Sequence, residues 1–271
     1  MDSVQDYGEG RYAAGKMLAQ FDEGVGLITF NQPEKRNAMS VGMWEGLGQI
    51  LDAFADDPAV RVVVLTGAGA KAFVSGADIS QFEQHRSDAS AQIEYNRLTS
   101  AGRNKLAAFG KPVIARIRGF CLGGGLGIAM QADLRIAARD SEFGIPAARL
   151  GIGYGYDMTS KLVSLVGPAH AGMMLYSGQR IDAVEAARIG LVNRMVEDAD
   201  LSDVVADLAR TIADNAPLSL RTAKLALAAA VAGGAGREAV DDAVAACFDS
   251  EDYREGRTAF MEKRSPRFCG Q

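Results

Sequence analysis

Pro112-Val-Ile-Ala-Arg-Ile-Arg118 runs into Gly119-Phe-Cys-Leu-Gly-Gly-Gly-Leu-Gly127 and then Ile128-Ala-Met130, and this stretch decides the fold. The first part is apolar and β-branched and reads as a buried strand. The last part reads as the first turns of a helix. Three adjacent glycines between them place bare backbone N–H groups at a helix N-terminus, where partial positive charge collects and no side chain obstructs a ligand oxygen. Such a turn binds an anion or stabilises one that forms during a reaction. It is not the dinucleotide-binding G-x-G-x-x-G pattern, because position 128 is Ile. Close helix–strand packing would explain the glycines equally well, so a second signal is needed.

A second glycine turn supplies it. Val60-Arg-Val-Val-Val-Leu-Thr66 reads as another core strand, and the loop Gly67-Ala-Gly-Ala-Lys-Ala-Phe-Val-Ser-Gly-Ala-Asp-Ile79 follows it, with small residues at Gly76-Ala77. Two such turns would each aim one N–H at a single oxygen. Outward from these, Val25–Phe30 reads as a strand, and Trp44, Leu47, Leu51 and Phe54 fall at helical spacing across 41–56. A polar segment fills 80–92, a helix is expected over 93–109, and Leu134-Arg-Ile-Ala137 is a short strand. Strands alternating with helices predict an α/β fold with parallel pairing.

From Leu201 onward the pattern is wholly helical. Leu201, Val204, Val205, Leu208 and Ile212 share a face, Pro217 opens a new helix, and Ala223–Val231 favours helix strongly. Gly233-Gly234 breaks it, and further helices are expected over about 237–248 and Asp252–Lys263. This tail is too thin to bury its own apolar faces and should pack on the core or on a neighbouring subunit. The expected division is an extension over 1–20, a core over 21–197 and a helical region over 198–271. The extension has weak periodicity. Its Gly10-Arg-Tyr-Ala-Ala-Gly-Lys16 nearly matches a phosphate-binding loop, but Met17 stands where Ser or Thr should be and no strand is expected before it.

Composition narrows the function classes. The 271 residues suffice for a sizeable core, and 48% hydrophobic with 23% charged residues is ordinary for a globular protein. A net charge of −5 gives no general reason to expect nucleic acid or an anionic membrane as partner. No apolar run approaches the ~18 residues of a membrane span. Cys121, Cys247 and Cys269 lack C-x-x-C spacing and suit a reducing, cytoplasmic setting. Cys121 reads as a buried core thiol. His85 and His170 are far apart and no cysteines cluster, so no catalytic metal site is expected.

Taken together, these stretches resemble the crotonase (enoyl-CoA hydratase/isomerase) superfamily. The resemblance rests on Asn31-Gln-Pro-Glu-Lys-Arg-Asn-Ala38, Val63-Val-Leu-Thr-Gly67, Phe73-Val-Ser-Gly-Ala-Asp-Ile79, Lys111-Pro-Val-Ile-Ala115, Gly123-Gly-Gly125 and Phe143-Gly-Ile-Pro146. It continues through Leu150-Gly151, Ser177-Gly-Gln-Arg-Ile-Asp-Ala183, Ala186, Gly190-Leu-Val192 and Ala259-Phe-Met-Glu-Lys-Arg264. The matches keep their order along nearly the whole chain.

The resemblance implies a spiral of ββα repeats with a C-terminal helical trimerisation region, assembled as a homotrimer or a dimer of trimers. It implies an acyl-CoA thioester as ligand and no further cofactor. The backbone N–H groups of Ala77 and Gly124 would form the oxyanion hole that stabilises an enolate. Arg36, Ala38, Ala77, Asp78, Ile79, Gly124, Phe260 and Lys263 would contact CoA, the last two from one face of the final helix. Family hydratases carry two glutamates where this chain has Gly127 and Ala147, and neither replacement transfers a proton. Ordinary two-glutamate hydration is therefore not expected. An isomerase, lyase, decarboxylase or hydratase using other groups is expected, and the alternative is an acyl-CoA-binding protein without chemistry. Asp157 and Tyr154 are the foremost acid–base candidates, with Tyr156 and His85 behind them. Asp157 reads equally as the N-cap of a helix opening at Met158. Glu142 reads as a surface charge.

Overall fold

The computed structural model describes residues 5–78 and 89–271. The chain begins β1 (Gln5–Tyr12), β2 (Met17–Asp22), β3 (Val25–Phe30) and α1 (Val41–Asp56). Next come β4 (Val62–Gly67), β5 (Ala72–Val74), α2 (Ala89–Ala107), β6 (Val113–Ile117), β7 (Phe120–Leu122), α3 (Gly124–Gln131), β8 (Leu134–Ala138), β9 (Glu142–Gly144) and α4 (Tyr156–Ser177). The chain closes with β10 (Arg180–Asp182), α5 (Ala183–Arg188), β11 (Arg194–Val196), α6 (Leu201–Ala213), α7 (Pro217–Val231), α8 (Arg237–Asp249) and α9 (Glu251–Glu262).

Two sheets organise these elements. The larger has strand order β1-β2-β3-β4-β6-β8-β11, and the smaller β10-β9-β7-β5. From β3 to β11 every pairing in the larger sheet is parallel. Three successive units, β4-β5-α2, β6-β7-α3 and β8-β9-α4, each put one long strand in the larger sheet, one short strand in the smaller, and a helix after them. This is the expected spiral of ββα repeats. The short strands have three residues each.

Both faces of the larger sheet are buried, which explains its unbroken apolar strands. In β4, Val63 and Leu65 face the main core with Met43, Leu47, Phe54 and Phe73, while Val62 and Val64 face α6. Leu201, Val205, Ala209 and Ala213 of α6 are buried against that second face, with Val204, Leu208 and Ile212 flanking them. A Ser40 hydroxyl caps α1 by accepting from Met43 N. α4 kinks where Gly167 has φ 74° ahead of Pro168, because proline removes a helical donor.

The segment expected to be an extension without strong periodicity is mostly strand. β1 pairs antiparallel with β2 and carries a bulge between Asp6 and Arg11. Tyr7 packs edge-on against Phe54 at 4.8 Å and donates to Asp57 Oδ2 at 2.9 Å. The bulge disguised the strand by breaking its alternation. Gly10 lies in β1, contrary to the expectation that no strand precedes the near-match to a phosphate loop, yet Lys16 leads into another strand rather than a helix.

The C-terminal helices leave much apolar surface open. Leu227, Val231, Phe248, Phe260 and Met261 are each at least 60% exposed. The tail is nevertheless tied down: Arg61 donates to Ala213 O at 3.1 Å and Phe268 O at 2.5 Å, and Lys224 bridges Asp133 at 2.8 Å. No helix among the described residues is long and apolar enough to cross a membrane.

Candidate active site

The site is built at the ends of β3, β5 and β7. Three loops meet: residues 31–40 after β3, residues 75–78 after β5, and the turn from β7 into α3. Asn37 locks the first loop. It is fully buried with φ 57°, and asparagine tolerates that left-handed conformation better than most residues. Its Oδ1 accepts from Gln32 N at 3.0 Å, while its Nδ2 donates to Ala68 O at 3.0 Å and Ala72 O at 2.8 Å.

The first and second loops share a bridge at Met39 and Ala77, made by Met39 N to Gly76 O at 2.8 Å and Asp78 N to Met39 O at 2.9 Å. This pairing leaves the Ala77 N–H pointing elsewhere. Asp78 is buried and bridges Lys35 Nζ at 2.8 Å.

The third loop is held by close packing. Gly123 has φ 52° and donates its N–H to Gly144 O at 2.8 Å. A Cβ on Gly125 would run into the Val74 carbonyl, 2.7 Å from its carbon, so only glycine lets α3 lie this close to β5. Gly124, between them, opens α3 and is accessible, and a Cβ there would meet Ala77 N at 4.0 Å. Among the described residues, neither the Ala77 nor the Gly124 N–H has an intramolecular acceptor. Two free amide donors thus lie near one another at a helix N-terminus.

The wall beside this pair is apolar. Gly127 is buried one turn along α3, and a Cβ there would stand 3.2 Å from Met158 Cε and 3.7 Å from Tyr154 Oη. Ala147 is half-buried against the main core. Tyr154 Oη is the one buried side-chain polar atom without a hydrogen-bond partner among the described residues. Burial, and secondarily the nearby Cys121, push its pKa well above the ordinary phenol value. Cys121 is fully buried in β7, and burial likewise raises its thiol pKa.

The remaining expected residues are distributed as follows. Ala38 is buried on the first loop beside Arg36, whose guanidinium lies 5.1 Å over the Phe120 ring. Arg180 approaches the same ring at 5.0 Å. Ile79 and His85 lie outside the described residues. Asp157 is exposed in the first turn of α4 and is not its N-cap; Gly155 is, because the helix starts two residues earlier than its apolar pattern suggested. Tyr156 is 83% exposed. Glu142 is a surface charge, paired with Arg180 at 3.0 Å.

Phe260 is 82% exposed on α9. Lys263 is not on the helical face with it: the helix stops at Glu262, and Lys263 turns left-handed at φ 57°. Asn37 and Met158 were missed by the sequence reading. The left-handed Arg36-Asn37 pair gives no hydrophobic signal, and Met158 reads as ordinary helix core.

A two-sheet ββα spiral with glycine turns at its strand-to-helix junction defines the α/β class of this chain. The chain belongs to the enoyl-CoA hydratase/isomerase family, whose model matches residues 20–271. It is 38% identical over 257 residues to a crotonyl-CoA hydratase of Syntrophomonas wolfei, covering 94% of this chain and 98% of that protein. It is 37% identical to a short-chain-enoyl-CoA hydratase of Clostridium acetobutylicum, covering 89% and 92%. Among solved structures, an enoyl-CoA hydratase/carnithine racemase from Magnetospirillum magneticum superposes with a TM-score of 0.91 at 35% identity, covering 94% of this chain and 96% of that one.

Proposed function

We propose that this chain binds an acyl-CoA thioester and stabilises its enolate between the backbone N–H groups of Ala77 and Gly124. The reading is supported by two unengaged amides near one another at the start of α3. When a thioester becomes an enolate, charge moves onto the carbonyl oxygen. Fixed donors aimed there stabilise the enolate more than the starting carbonyl, which is what lowers a barrier. Each such donor is worth ~2.7–4 kcal/mol.

Arg36, Ala38, Ala77, Asp78 and Gly124 line the CoA path in this reading. The exposed Phe260 and Lys263 reach the CoA of a neighbouring subunit in a homotrimer or dimer of trimers. The open apolar surface of α7 to α9 is what such an assembly would cover. No cofactor beyond the CoA thioester enters the reaction.

The relatives named as hydratases do not fix the reaction here. Gly127 and Ala147 occupy the positions of the two glutamates of family hydratases, so water is not activated by that route. Of the other acid–base candidates, Tyr154 has its hydroxyl beside Gly127, whereas Asp157 faces solvent.

The test is mass spectrometry of enoyl-, 3-oxoacyl- and carboxyacyl-CoAs incubated with the protein in D₂O. Deuterium in a recovered thioester, or a mass-shifted product, supports enolate chemistry. Bound thioesters that come through unlabelled and unchanged would return the chain to a binding protein without chemistry.

A further inference from the structure

Arg116 interrupts the apolar layer between the larger sheet and α6. Residues of β6 alternate between the two faces: Val113, Ala115 and Ile117 belong to the main core, and Ile114 to the layer under α6. Arg116 shares the face of Ile114. Its half-buried guanidinium therefore enters a layer built from Val62, Val64, Ile136, Val205 and Ala209. Thr66 is its cross-strand neighbour. Arg116 Nε donates to the Thr66 hydroxyl at 3.1 Å, and that hydroxyl donates to Arg116 O at 3.4 Å. The two terminal nitrogens of Arg116 have no acceptor among the described residues. Burial, and secondarily the charge of Arg118, hold its pKa below the ordinary guanidinium value, and it stays charged at neutral pH. Arg118 is itself engaged by Asp198 at 2.5 Å.

The Arg116 side chain lines a groove between this face and α6. Val25, Leu27 and Val64 form its floor, and Val205, Ala206 and Ala209 its helical wall. Leu27 pairs with Val64, and Arg116 pairs with Thr66 two residues further along the strands. Asp22 pairs with Val25 at the opposite end. The helix runs back along the groove from Ser202 to Arg210, about 12 Å. Its C-terminal end lies beside Asp22, since a Cβ on Gly24 would meet Ala213 Cβ at 3.2 Å. One end of the groove thus carries Arg116 and Ser202. The other carries Asp22 and Arg210, the latter paired with Asp207 at 3.5 Å. The side chains between them are apolar.

About 60 Å³ of free space lies in the groove. One water needs ~10–15 Å³, so about four to six non-hydrogen atoms fit. Each ordered water also needs about two to four polar partners, which the side chains of the floor and the helical wall do not offer. A ligand with an anionic head and a short apolar tail suits both parts.

The geometry points to a binding site for a short-chain aliphatic monocarboxylate, of about two to four carbons by that volume, between α6 and the larger sheet. Its carboxylate accepts from the terminal nitrogens of Arg116, whose planar fork matches two oxygens. The Ser202 hydroxyl stands at the same end as a further donor. The alkyl chain lies along Leu27, Val64 and Val205. Asp22 sets a negative charge at the far end, which selects against a second carboxylate. This site shares no residue with the glycine turns and does not depend on the thioester reading.

The experiment titrates the full-length protein with butyrate at constant ionic strength, followed by ligand-observed NMR. The expected result is saturable binding with a Kd on the order of 1 mM, in keeping with a ligand of six non-hydrogen atoms. Succinate and butylamine should bind at least about tenfold more weakly. Arg116→Gln should lower butyrate affinity at least about tenfold. Ala206→Leu, which keeps the guanidinium and fills the groove from its half-buried edge, should do the same.

Absence of saturable butyrate binding would overturn the proposal. So would equal binding of butylamine, or butyrate affinity within threefold of the parent in a folded Ala206→Leu protein. Displacement of butyrate by butyryl-CoA would move it to the thioester site, overturning this proposal and leaving the thioester reading intact. Butyrate bound as expected, with no acyl-CoA bound by the same protein, would sustain this site and remove the thioester reading.

Discussion

Adjacent glycines in the β7–α3 turn should respond in opposite ways to the same methyl group. At Gly125, a Cβ would overlap the Val74 carbonyl, approaching its carbon to 2.7 Å. The obstacle is backbone inside β5 and cannot rotate away. Overpacking of this kind costs ~1–3 kcal/mol or more, which lowers Tm by several degrees in a chain of this size. At Gly124, the nearest atoms to a Cβ are Ala77 N and Gly76 C, both at 4.0 Å, which is ordinary contact. Gly124→Ala should therefore fold normally, and the higher helix propensity of alanine adds up to ~1 kcal/mol.

Function should reverse the order. An oxygen accepting from both amides must sit ~2.9 Å from each nitrogen, on the side where the new methyl stands. Carbon and oxygen do not approach comfortably below ~3.3 Å, so the thioester oxygen is pushed off one donor. Losing one donor costs ~2.7–4 kcal/mol, or about 10²–10³ in turnover. The assay pairs thermal unfolding with conversion of whichever thioester the parent protein turns over in D₂O. Gly124→Ala that binds this thioester and converts it within threefold of the parent would refute the paired-amide assignment.

Placing carboxylates at both positions, Gly127→Glu with Ala147→Glu, should raise crotonyl-CoA hydration by less than about tenfold, since Met158 and Tyr154 already fill the space over position 127; adding Met158→Ala should raise it further, and full hydratase rates in the double variant would sink this account. Asp252 is buried and accepts from Cys269 N at 2.7 Å and Gly270 N at 2.9 Å. Each hydrogen bond to a charged group is worth ~1.5–3 kcal/mol, so Asp252→Ala should release the 264–271 tail, read as faster amide exchange there; unchanged exchange would refute the clamp. Burial, then the Asp57 hydrogen bond and charge, raise the Tyr7 pKa to about 12, and burial raises that of Tyr154 as well. Both phenols ionise near 10 when unfolded, so above pH ~10 the native state holds more protons than the unfolded chain. Stability should be undiminished on this account below pH ~10 and fall as pH rises toward about 12; Tyr7→Phe should flatten that fall in urea midpoints taken from pH 9 to 11, and an unaltered slope would count against it.

The long parallel strands and the large helices were legible because burial on both faces writes continuous apolar runs such as Val62–Leu65, and helical spacing writes Trp44, Leu47, Leu51 and Phe54. The smaller sheet was not. Ala72–Val74, Phe120–Leu122 and Glu142–Gly144 have three residues each, too few for a period to declare itself. β1 was hidden by its bulge. Within the site, the glycine turns announced themselves because Gly125 admits nothing larger and Gly76 and Gly123 take positive φ. The Asn37 staple did not, since its three hydrogen bonds reach loops as far as 35 residues away. The position of Asp157 was misjudged because Gly155-Tyr156 gives no cue that the helix has already begun.

The two halves of the proposed site are bound to the fold with unequal strength. The amides of Ala77 and Gly124 are backbone. Their positions follow from the Met39–Gly76 hydrogen bond at 2.8 Å, from the Gly123–Gly144 hydrogen bond at 2.8 Å, and from the contact of Gly125 with β5. Disturbing any of these disturbs the packing of both sheets, so the polarising element is inseparable from the core. Tyr154 and Met158 contribute side chains to the wall over Gly127, and a new residue there needs only to fill similar volume. Tyr154 and Met158 occupy the space over Gly127 and keep that wall closed. On the proposed reading, a fold arranged this way keeps its two backbone amides in place whatever side chains stand at positions 127, 154 and 158.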